Sequence, residues 1–545
     1  MTNPPTSFDP SRRRVLLSLG SGTIAALAGC LSGGSSSEQP SSNASDQRSP
    51  SPSAQPTSTL SPDERVRLPA TTGQVAPVSG RSREAWLYDG TVPGPELRVK
   101  EGEVLRATVA NELPERTTVH WHGVPVPNAM DGVPGLTQQP IEPGSTFEYT
   151  FRAKPPGTYF YHSHAGLQLD RGLMGPLVIE EDDPHVAYDR EYTLVFDDYL
   201  PGEPQLPDGR DSGGAGGTGN GGGMGGNGMG GGMGGSGTSG GEGGMNGGMM
   251  GDSRPSYAGL LLNGRLPSDP PTLSVSEGER VRLRCINAAS ATTFRVALAG
   301  HEFRISHADG RPVEPVRADS FVFGAGERYD AIVAADSPGT WELRAAPIDG
   351  DEPPAKALLA YEGVSNGTPT PVQSIGRRLE YAELNALTPI EGIDGRPDRT
   401  FDPTLSRGGG RSYSWAIDGQ TYPDADPLAI SRGEHVRVRL ANRSPVSHPM
   451  HLHGHFFQVG DAVKDTVLVP GRMGEVTFDF LADNPGEWLF HCHNLYHLHA
   501  GMARVFEYRW TSAFESVRQC WRAESSLSST GTTCQRAGRS TTGRS

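Results

Sequence analysis

Three stretches of the chain share one pattern of apolar and polar positions. In residues 99–111, 275–287 and 430–442, an apolar residue is followed three positions later by Gly-Glu, and alternating apolar and polar residues then lead to an asparagine. Alternation with a period of two is typical of a strand that buries one face. We therefore predict three half-buried strands, each preceded by a tight turn at glycine.

A second pattern follows each of these strands. Gly-Thr-Tyr-Phe-Tyr begins at Gly157, Gly-Thr-Trp-Glu-Leu at Gly339 and Gly-Glu-Trp-Leu-Phe at Gly486. Two elements that recur in the same order indicate three copies of one β-domain. Short strands separated by Gly and Pro turns favour a small Greek-key sandwich or barrel for each copy. The predicted fold class is therefore all-β, with three β-sandwich domains.

Composition agrees with an all-β fold. The 545 residues include 72 Gly and 46 Pro but only 35% hydrophobic residues, which favours turn-rich β-structure over a helical bundle. The predicted domains span residues 66–183, 184–365 and 406–510, and a linker covers residues 366–405. A net charge of -15 argues against a nucleic-acid partner, and five cysteines are too few for a disulfide scaffold.

The first 30 residues have the pattern of an export signal. Arginines at positions 12–14 precede a short apolar run that ends in Leu-Ala-Gly and Cys30. The pattern is typical of twin-arginine export and of lipidation at Cys30, with cleavage without a lipid as the alternative. Ser/Pro-rich residues 31–65 predict a flexible tether. We expect membrane attachment only through this lipid, because no later segment is apolar enough to span a membrane.

Two further segments differ from the predicted domains. Residues 212–251 contain 24 glycines and six of the 12 methionines, so we expect a disordered insert within the second domain. Thioether sulfur suits Cu(I), so this tract is either a copper-collecting loop or a drifting insertion at a loop tip. Residues 511–545 carry five Arg and two acidic residues without a strand pattern, which predicts a disordered tail.

Histidines occur at matching positions of the first and third copies. They form four His-x-His pairs: His120 and His122, His162 and His164, His451 and His453, His491 and His493. Alternating side chains put both members of a pair on one face of a strand. A single pair is more typical of ordinary surface or core histidines. Four repeat-related pairs predict one metal cluster shared by the first and third domains, with the second domain as a spacer.

A cysteine separates the last pair, and strand alternation points its thiol away from the flanking imidazoles. Four tetrahedral zinc ligands would not explain this arrangement. Cys492 therefore binds a different metal, and its candidate partners lie in the same copy: His448, His497 and Met502. One Cys, two His and a weak Met are the ligands of a blue-copper electron-transfer site. The first copy has Thr117 and Ser163 in place of His448 and Cys492, so it cannot build this site.

At this point the sequence resembles the multicopper oxidases, in particular three-domain laccase-like enzymes. The resemblance runs from about residue 84 to residue 508 and rests on four intact motifs: His120-Trp-His122-Gly, His162-Ser-His164, His448-Pro-Met-His451-Leu-His453 and His491-Cys-His493-Asn-Leu-Tyr-His497-Leu-His-Ala-Gly-Met502. It implies three cupredoxin-like domains and four copper ions. It also implies one-electron oxidation of a reductant coupled to four-electron reduction of O2 to water.

The same resemblance implies a role for each ligand. The type 1 copper would be held by His448, Cys492, His497 and Met502. The type 2 copper would be held by His120 and His451. The two type 3 coppers would be held by His122, His162 and His493, and by His164, His453 and His491. Electrons would pass from the type 1 copper through Cys492 and its neighbours His491 and His493.

Several single residues complete these expectations. Asp131, in Met-Asp-Gly after the first pair, matches the acidic residue that the family places beside the type 2 copper and is the candidate proton relay; an ordinary Asp-Gly turn is the alternative. Leu498 stands where several bacterial relatives have Glu, and His499 is a weak substitute. We expect His435 on an exposed strand face and Cys285 as a small buried residue.

The sequence therefore predicts an exported, monomeric multicopper oxidase. Its expected partners are O2 and a phenol or aromatic amine, with Cu(I) or another metal ion as the alternative reductant. The Met-rich tract favours copper tolerance, but copper-oxidising relatives carry such an insert near the type 1 site, so laccase-like activity comes first. A nitrite reductase would lack the intact four-motif set. A non-enzymatic copper-sequestering surface protein is the alternative from another class.

Overall fold

The computed structural model describes residues 60–78, 80–207, 254–364, 367–409 and 413–509. The predicted export signal, most of the tether, the Gly/Met-rich insert and the tail lie outside the described residues. Within them, regular structure consists of β-strands, one α-helix of five residues and three 3-10 helices of three residues each. The all-β prediction is confirmed. None of the helices in these segments has the length and apolar content that a membrane span requires.

The first sandwich consists of two four-stranded sheets. Its strands are β1 (Glu64–Val78), β2 (Arg81–Tyr88), β3 (Leu97–Lys100), β4 (Val104–Asn111), β5 (His120–His122), β6 (Thr146–Arg152), β7 (Gly157–His162) and β8 (Met174–Glu180). The sheet orders are β2-β1-β4-β6 and β3-β8-β7-β5. Trp121 of one sheet packs on Phe151 of the other, with ring centroids 4.9 Å apart in the core between them. The 3-10 helices Asn128–Met130 and Leu169–Arg171 follow β5 and β7.

The second sandwich has one six-stranded and one five-stranded sheet. Its strands are β9 (Arg190–Tyr199), β10 (Gly259–Leu262), β11 (Thr272–Val275), β12 (Arg280–Asn287), β13 (Phe294–Leu298), β14 (Phe303–Ala308), β15 (Arg311–Ala318), β16 (Ser320–Phe323), β17 (Arg328–Ala334), β18 (Thr340–Pro347) and β19 (Ala355–Tyr361). The sheet orders are β10-β9-β12-β17-β14-β15 and β11-β19-β18-β13-β16. Phe196 and Phe294 meet between the sheets, and the 3-10 helix Tyr381–Glu383 follows in the linker.

The third sandwich resembles the second. Its strands are β20 (Arg399–Phe401), β21 (Thr404–Arg407), β22 (Trp415–Ile417), β23 (Leu428–Ile430), β24 (His435–Asn442), β25 (His448–Leu452), β26 (Phe457–Val459), β27 (Ala462–Lys464), β28 (Thr466–Val469), β29 (Glu475–Leu481), β30 (Glu487–Cys492) and β31 (Ala503–Tyr508). The sheet orders are β22-β21-β24-β29-β26-β27, with β20 beside β24, and β23-β31-β30-β25-β28. Helix α1 (Leu495–His499) joins β30 to β31.

The three strands predicted from alternation are β4, β12 and β24. β4 and β24 are buried on one face and partly exposed on the other. The half-buried prediction is wrong for β12, which is buried at every residue except its first. The reason is contact between sandwiches, because Arg284 of β12 donates a hydrogen bond to Thr158 of β7 at 2.9 Å and its charge is paired with Asp330.

Candidate metal centre

Strand register brings the predicted histidines together in pairs. In the first sandwich β5 runs antiparallel to β7, and His120 lies opposite His162. In the third sandwich β25 runs antiparallel to β30, and His451 lies opposite His491. The period of two then places His122 on the same face of β5 as His120, and His164, His453 and His493 follow within two residues of the ends of β7, β25 and β30. All eight side chains are buried.

The eight imidazoles meet across the first and third sandwiches. His120 stacks on His453 with ring centroids 3.9 Å apart, and His122 stacks on His451 at 3.8 Å. The ring nitrogens of His120, His451 and His453 lie within 4.8 Å of one another. The predicted cluster therefore has its histidines side by side, with each sandwich supplying half of them.

Two groups of three rings each include one ring of these stacks. The rings of His164, His453 and His491 are 5.0 to 5.2 Å apart, and one nitrogen of each can reach a common point. The rings of His122, His162 and His493 are 4.8 to 5.8 Å apart. The resemblance implies these two sets of three as ligands, and one ring nitrogen each of His120, His122 and His162 also lie within 4.8 Å of one another.

Unpaired nitrogens show that the cluster fits a metal. Among the described residues, these buried ring nitrogens have no hydrogen-bond partner: Nε2 of His120, His162, His164 and His451, Nδ1 of His122, and both nitrogens of His493. Buried polar atoms are normally paired, so a row of unpaired imidazole nitrogens is unusual for a structural core. Copper is among the metals that imidazole suits.

The charge state of the rings also suits metal binding. Burial, and then repulsion among the rings, lowers the pKa well below the usual 6.5 for six of them: His122, His162, His164, His453, His491 and His493. A neutral imidazole offers a lone pair, which is the form that binds a metal.

Main-chain carbonyl groups orient four of the rings. Each Nδ1–H donates to a carbonyl oxygen at 2.8 to 2.9 Å: His120 to Asp131, His162 to Ser163, His451 to Asp465 and His491 to Cys492. This bond fixes the tautomer and directs Nε2 toward the centre of the cluster. The rings are therefore held in place before any metal binds.

The cysteine site is compact and lies within the third sandwich. Cys492 Sγ is 3.5 Å from Nδ1 of His448 and 3.5 Å from Nδ1 of His497, and these two nitrogens are 3.1 Å apart. The Asn494 side chain accepts the amide N–H groups at the start of α1, which fixes the helix that carries His497. Met502 is buried beside them, and its carbonyl oxygen accepts the Cys492 N–H at 3.1 Å.

Burial sets the electrostatics of this site. It lowers the pKa of His448 to about 3 and raises the pKa of the Cys492 thiol. Trp415 of β22 covers the two imidazoles, with ring centroids 5.1 Å from His448 and 4.1 Å from His497. The site is therefore dry, with soft and borderline donors that match copper.

Asp131 lies between two rings of the cluster. Its carboxylate is 3.0 Å from Nδ1 of His453 and 3.3 Å from Nδ1 of His120, and it is fully buried. The turn needs Gly132, whose φ is +87°, because a Cβ there would lie 1.9 Å from the Val119 carbonyl oxygen. Asp131 therefore contacts rings of the cluster from a buried Asp-Gly turn.

A second buried carboxylate, Asp465, was not singled out from the sequence. Its Oδ1 is 3.2 Å from Nε2 of His122, and its carbonyl oxygen accepts the His451 Nδ1–H. The available signal was an adjacent Lys464-Asp465 pair inside the apolar run that continues to Val469. Charged residues in such a run are expected to be buried in pairs.

The structure tests three other expectations. The prediction for His435 is wrong, because the side chain is buried and its Nε2 is 2.9 Å from Asp479 on the neighbouring strand β29. Cys285 is buried, as predicted. His499 and Leu498 line a small cavity together with the cluster histidines His164 and His491.

The family of the chain follows from comparison with known proteins. Three family models, each described as Multicopper oxidase, match residues 70–184, 237–364 and 396–511. Multicopper oxidase MmcO of Mycobacterium tuberculosis is 34% identical over 520 residues, covering 92% of this chain and 98% of the relative.

Two further relatives carry other names. A Copper resistance protein A homolog of Pseudomonas syringae pv. tomato is 28% identical over 530 residues, covering 78% of this chain and 89% of the relative. Laccase-2 of Botryotinia fuckeliana is 28% identical over 487 residues, covering 78% and 79%. With three matched segments and a relative that covers nearly all of it, the chain belongs to the multicopper oxidases, copper-dependent oxidoreductases that use O2 to oxidise a reductant.

Proposed function

We propose that the chain is a laccase-like oxidase that binds four copper ions. The observation that carries this proposal is the buried Cys492 with two imidazoles at 3.5 Å, next in the chain to two histidines of an eight-histidine cluster. Bound copper would supply the one-electron chemistry that oxidises the reductant and reduces O2 to water.

We propose the ligand sets that the sequence resemblance implies. The type 1 copper is held by His448, Cys492, His497 and Met502. The type 2 copper is held by His120 and His451. The type 3 pair is held by His122, His162 and His493 on one side, and by His164, His453 and His491 on the other. The unpaired nitrogens and the mutual ring distances support these assignments.

The protein itself contributes a short covalent path and a proton. Cys492 is bonded through the main chain to His491 and His493, so the two sites are connected by the fewest possible residues. Asp131, whose carboxylate lies between His120 and His453, would relay protons to the place where oxygen is reduced. The carbonyl-bound imidazoles keep their orientation during turnover.

We propose phenols or aromatic amines as the first class of reductant, with Cu(I) as the second. The relative named Laccase-2 supports the first and the relative named Copper resistance protein A homolog supports the second. Steady-state O2 uptake by the copper-loaded protein, measured with a phenol and with Cu(I), separates them. A higher kcat/KM for the phenol is expected, and a higher value for Cu(I) would reverse the order. Absence of both uptake and blue colour would favour copper sequestration without catalysis.

The Gly/Met-rich tract offers a second test of the reductant. We propose that residues 212–251 collect Cu(I), because six thioethers lie among glycines. Deleting the tract should leave phenol oxidation unchanged and weaken Cu(I)-dependent uptake. An unchanged response to Cu(I) would remove the tract from the proposal.

We also propose domain bounds at 66–183, 184–365 and 406–510 as three copies of one unit, with β20 and the start of β21 lying in the predicted linker 366–405. The matching orders β3-β8-β7-β5, β11-β19-β18-β13 and β23-β31-β30-β25 support this division.

For the segments outside the described residues we propose export and lipidation at Cys30, with a monomeric oxidase beyond the membrane. Changing Cys30→Ala should release the protein from the membrane fraction, and retention there would contradict the lipid anchor.

A further inference from the structure

The second sandwich places a buried arginine next to the metal centre. Arg328, the first residue of β17, donates to both carboxylate oxygens of Asp465 at 2.7 and 2.6 Å. Both side chains are fully buried. A bidentate guanidinium–carboxylate pair fixes the plane of the carboxylate as well as its position.

The carboxylate that Arg328 fixes contacts one ring from each of the other two sandwiches. Asp465 Oδ1 is 3.2 Å from His122 Nε2 of β5 and 3.5 Å from His451 Nδ1 of β25. Thr466 donates to the same oxygen at 2.8 Å, and its hydroxyl lies 3.2 Å from His122 and 3.1 Å from His451. One carboxylate oxygen of Asp465 therefore contacts both rings.

The guanidinium of Arg328 has little freedom. It also donates to the carbonyl oxygens of Thr158 in the first sandwich at 3.2 Å and of Gly326 at 2.9 Å. The loop before it is equally close to the cluster, since a Cβ on Gly326 would lie 2.9 Å from the His493 ring and 3.0 Å from the His122 ring.

Other buried charged residues contact the Arg328–Asp465 pair or lie next to it. Asp309 accepts the Arg328 N–H at 2.8 Å and the main-chain N–H groups of Asp465 and Thr466 at 3.2 Å. Lys464 lies 3.0 Å from Asp309 and 3.1 Å from Glu327. Residues of the second and third sandwiches thus form one buried ionic network that ends on two cluster histidines.

We propose that Arg328 is a positioning residue for the copper cluster: through Asp465 it sets the orientation of His122 and His451. The inference rests on the proposed function, because it takes these two histidines as copper ligands. The second sandwich is then more than a spacer, since it supplies no ligand but determines how ligands from its two neighbours meet.

The test replaces Arg328→Met and compares copper per chain and the electron paramagnetic resonance spectrum of the type 2 copper with wild type. We expect copper affinity at the cluster to fall about 10- to 100-fold and the spectrum to change, as for other residues that support ligands. The blue absorption from the Cys492 site should remain, because Arg328 does not touch it. Arg328→Lys should recover part of the loss, since lysine gives one bond in place of two.

The matched control is Arg282→Met. Arg282 is also fully buried in the second sandwich. It pairs with Asp330 at 2.6 Å and with Glu181, and neither of these partners belongs to the cluster. We expect this variant to lose thermal stability while keeping wild-type copper content and spectrum. If both variants give the same copper content and spectrum, Arg328 has a structural role only and the proposal is overturned.

A second variant covers the case in which Arg328→Met fails to fold. Thr466→Val keeps the size of the side chain and every charge, but removes the hydroxyl that joins Asp465 Oδ1 to both rings. The type 2 spectrum should change in the same direction by a smaller amount, and an unchanged spectrum would count against the proposal. A wild-type protein that binds no copper would overturn the proposed function itself, which separates the two failures.

Discussion

The proposed type 1 site in the third sandwich has a counterpart of different chemistry in the first. Thr117 and Ser163 are buried in the first sandwich, and Gln168 Oε1 accepts a hydrogen bond from each hydroxyl, at 2.8 and 2.7 Å. Gln168 follows Ser163 by five positions, as His497 follows Cys492. One region is a closed set of hydrogen bonds, and the other is a set of nitrogen and sulfur donors.

The two regions share one main-chain hydrogen bond at equivalent positions. The N–H of Ser163 donates to the Leu173 carbonyl oxygen at 2.9 Å, and the N–H of Cys492 donates to the Met502 carbonyl oxygen at 3.1 Å. Leu173 and Met502 each lie ten positions further along. The comparison indicates that equivalent positions of two sandwiches carry hydrogen-bonding side chains in one and metal-binding side chains in the other.

The largest effect is expected from making the third sandwich resemble the first. Cys492→Ser replaces the sulfur by the hydroxyl found at Ser163, and a neutral hydroxyl is a poor copper ligand. We expect complete loss of blue absorption and of O2 uptake. Absorption spectra and oxygen-electrode rates at saturating reductant measure both.

The control for this change is Cys285→Ser. Cys285 is a buried cysteine in β12 and its pKa is also raised by burial. This variant should keep both blue colour and turnover, at a cost in stability of about 1–3 kcal/mol for a buried hydroxyl. Loss of colour in the control as well would show that the assay reports folding and not copper ligation.

The next largest effect is expected at Asp131, which contacts histidines of both sandwiches. Asp131→Asn keeps the size of the side chain but removes the proton that the carboxyl group can transfer. Turnover should fall about 10²-fold, the usual contribution of one general acid. Oxygen uptake across pH, together with copper per chain, measures this. Turnover within twofold of wild type at full copper content would exclude Asp131 as the relay.

A moderate effect is expected when the shared hydrogen-bond acceptor in the first sandwich is removed. Gln168→Leu leaves the hydroxyl groups of Thr117 and Ser163 buried without their shared acceptor. The free energy of unfolding should fall by about 1–3 kcal/mol, while copper content stays at the wild-type level. Thermal unfolding measures the first and metal analysis the second. The exposed Gln139→Leu serves as control and should change neither, and equal losses in both variants would contradict the assigned bonds.

The smallest effect concerns a carboxyl group that links the two regions. Asp170, two residues after Gln168, accepts a hydrogen bond from Tyr496, which lies between Cys492 and His497. Burial, and then repulsion from Asp198, raises the pKa of Asp170 to about 7. Since its ordinary pKa is about 4, folding favours the protonated form.

The sign of the pH effect follows from that shift. Stability from Asp170 is fully present below about pH 4 and is lost as pH rises through about 7. Asp170→Asn should therefore flatten the fall in Tm between pH 5 and pH 8. Asp189→Asn is the control: hydrogen bonds from Arg280 lower the pKa of this exposed carboxyl to about 2, so its titration lies below this window. An unchanged slope in Asp170→Asn would contradict the shift.

Much of the site could be predicted because its ligands obey local rules. His-x-His on a strand needs only the period of two, and the repeat extends that inference from His120 to His451 without knowledge of packing. The all-β fold follows from the same alternation. These features depend on residues that are neighbours along one strand or equivalent in two copies.

The features that the sequence did not predict depend on which surfaces of the strands and domains pack against each other. Asp465 is separated from Arg328 by 137 positions, and no periodicity relates a turn of the third sandwich to a strand of the second. His435 aligns with Arg280 in the repeat, yet it is buried because Asp479 lies beside it on β29. β12 is buried by contact with the first sandwich. Tertiary contacts, within a sandwich for His435 and between sandwiches for Asp465 and β12, override the local pattern.

The stacking of His120 on His453 has a consequence for how the enzyme matures. One half of the cluster belongs to the first sandwich and is synthesised before the ribosome reaches the other half. A cluster with ligands from both sandwiches is therefore complete only after the two sandwiches dock. By linkage, each copper bound adds its binding free energy to the closed arrangement of the sandwiches, so copper supply regulates the lifetime of the folded enzyme as well as its activity.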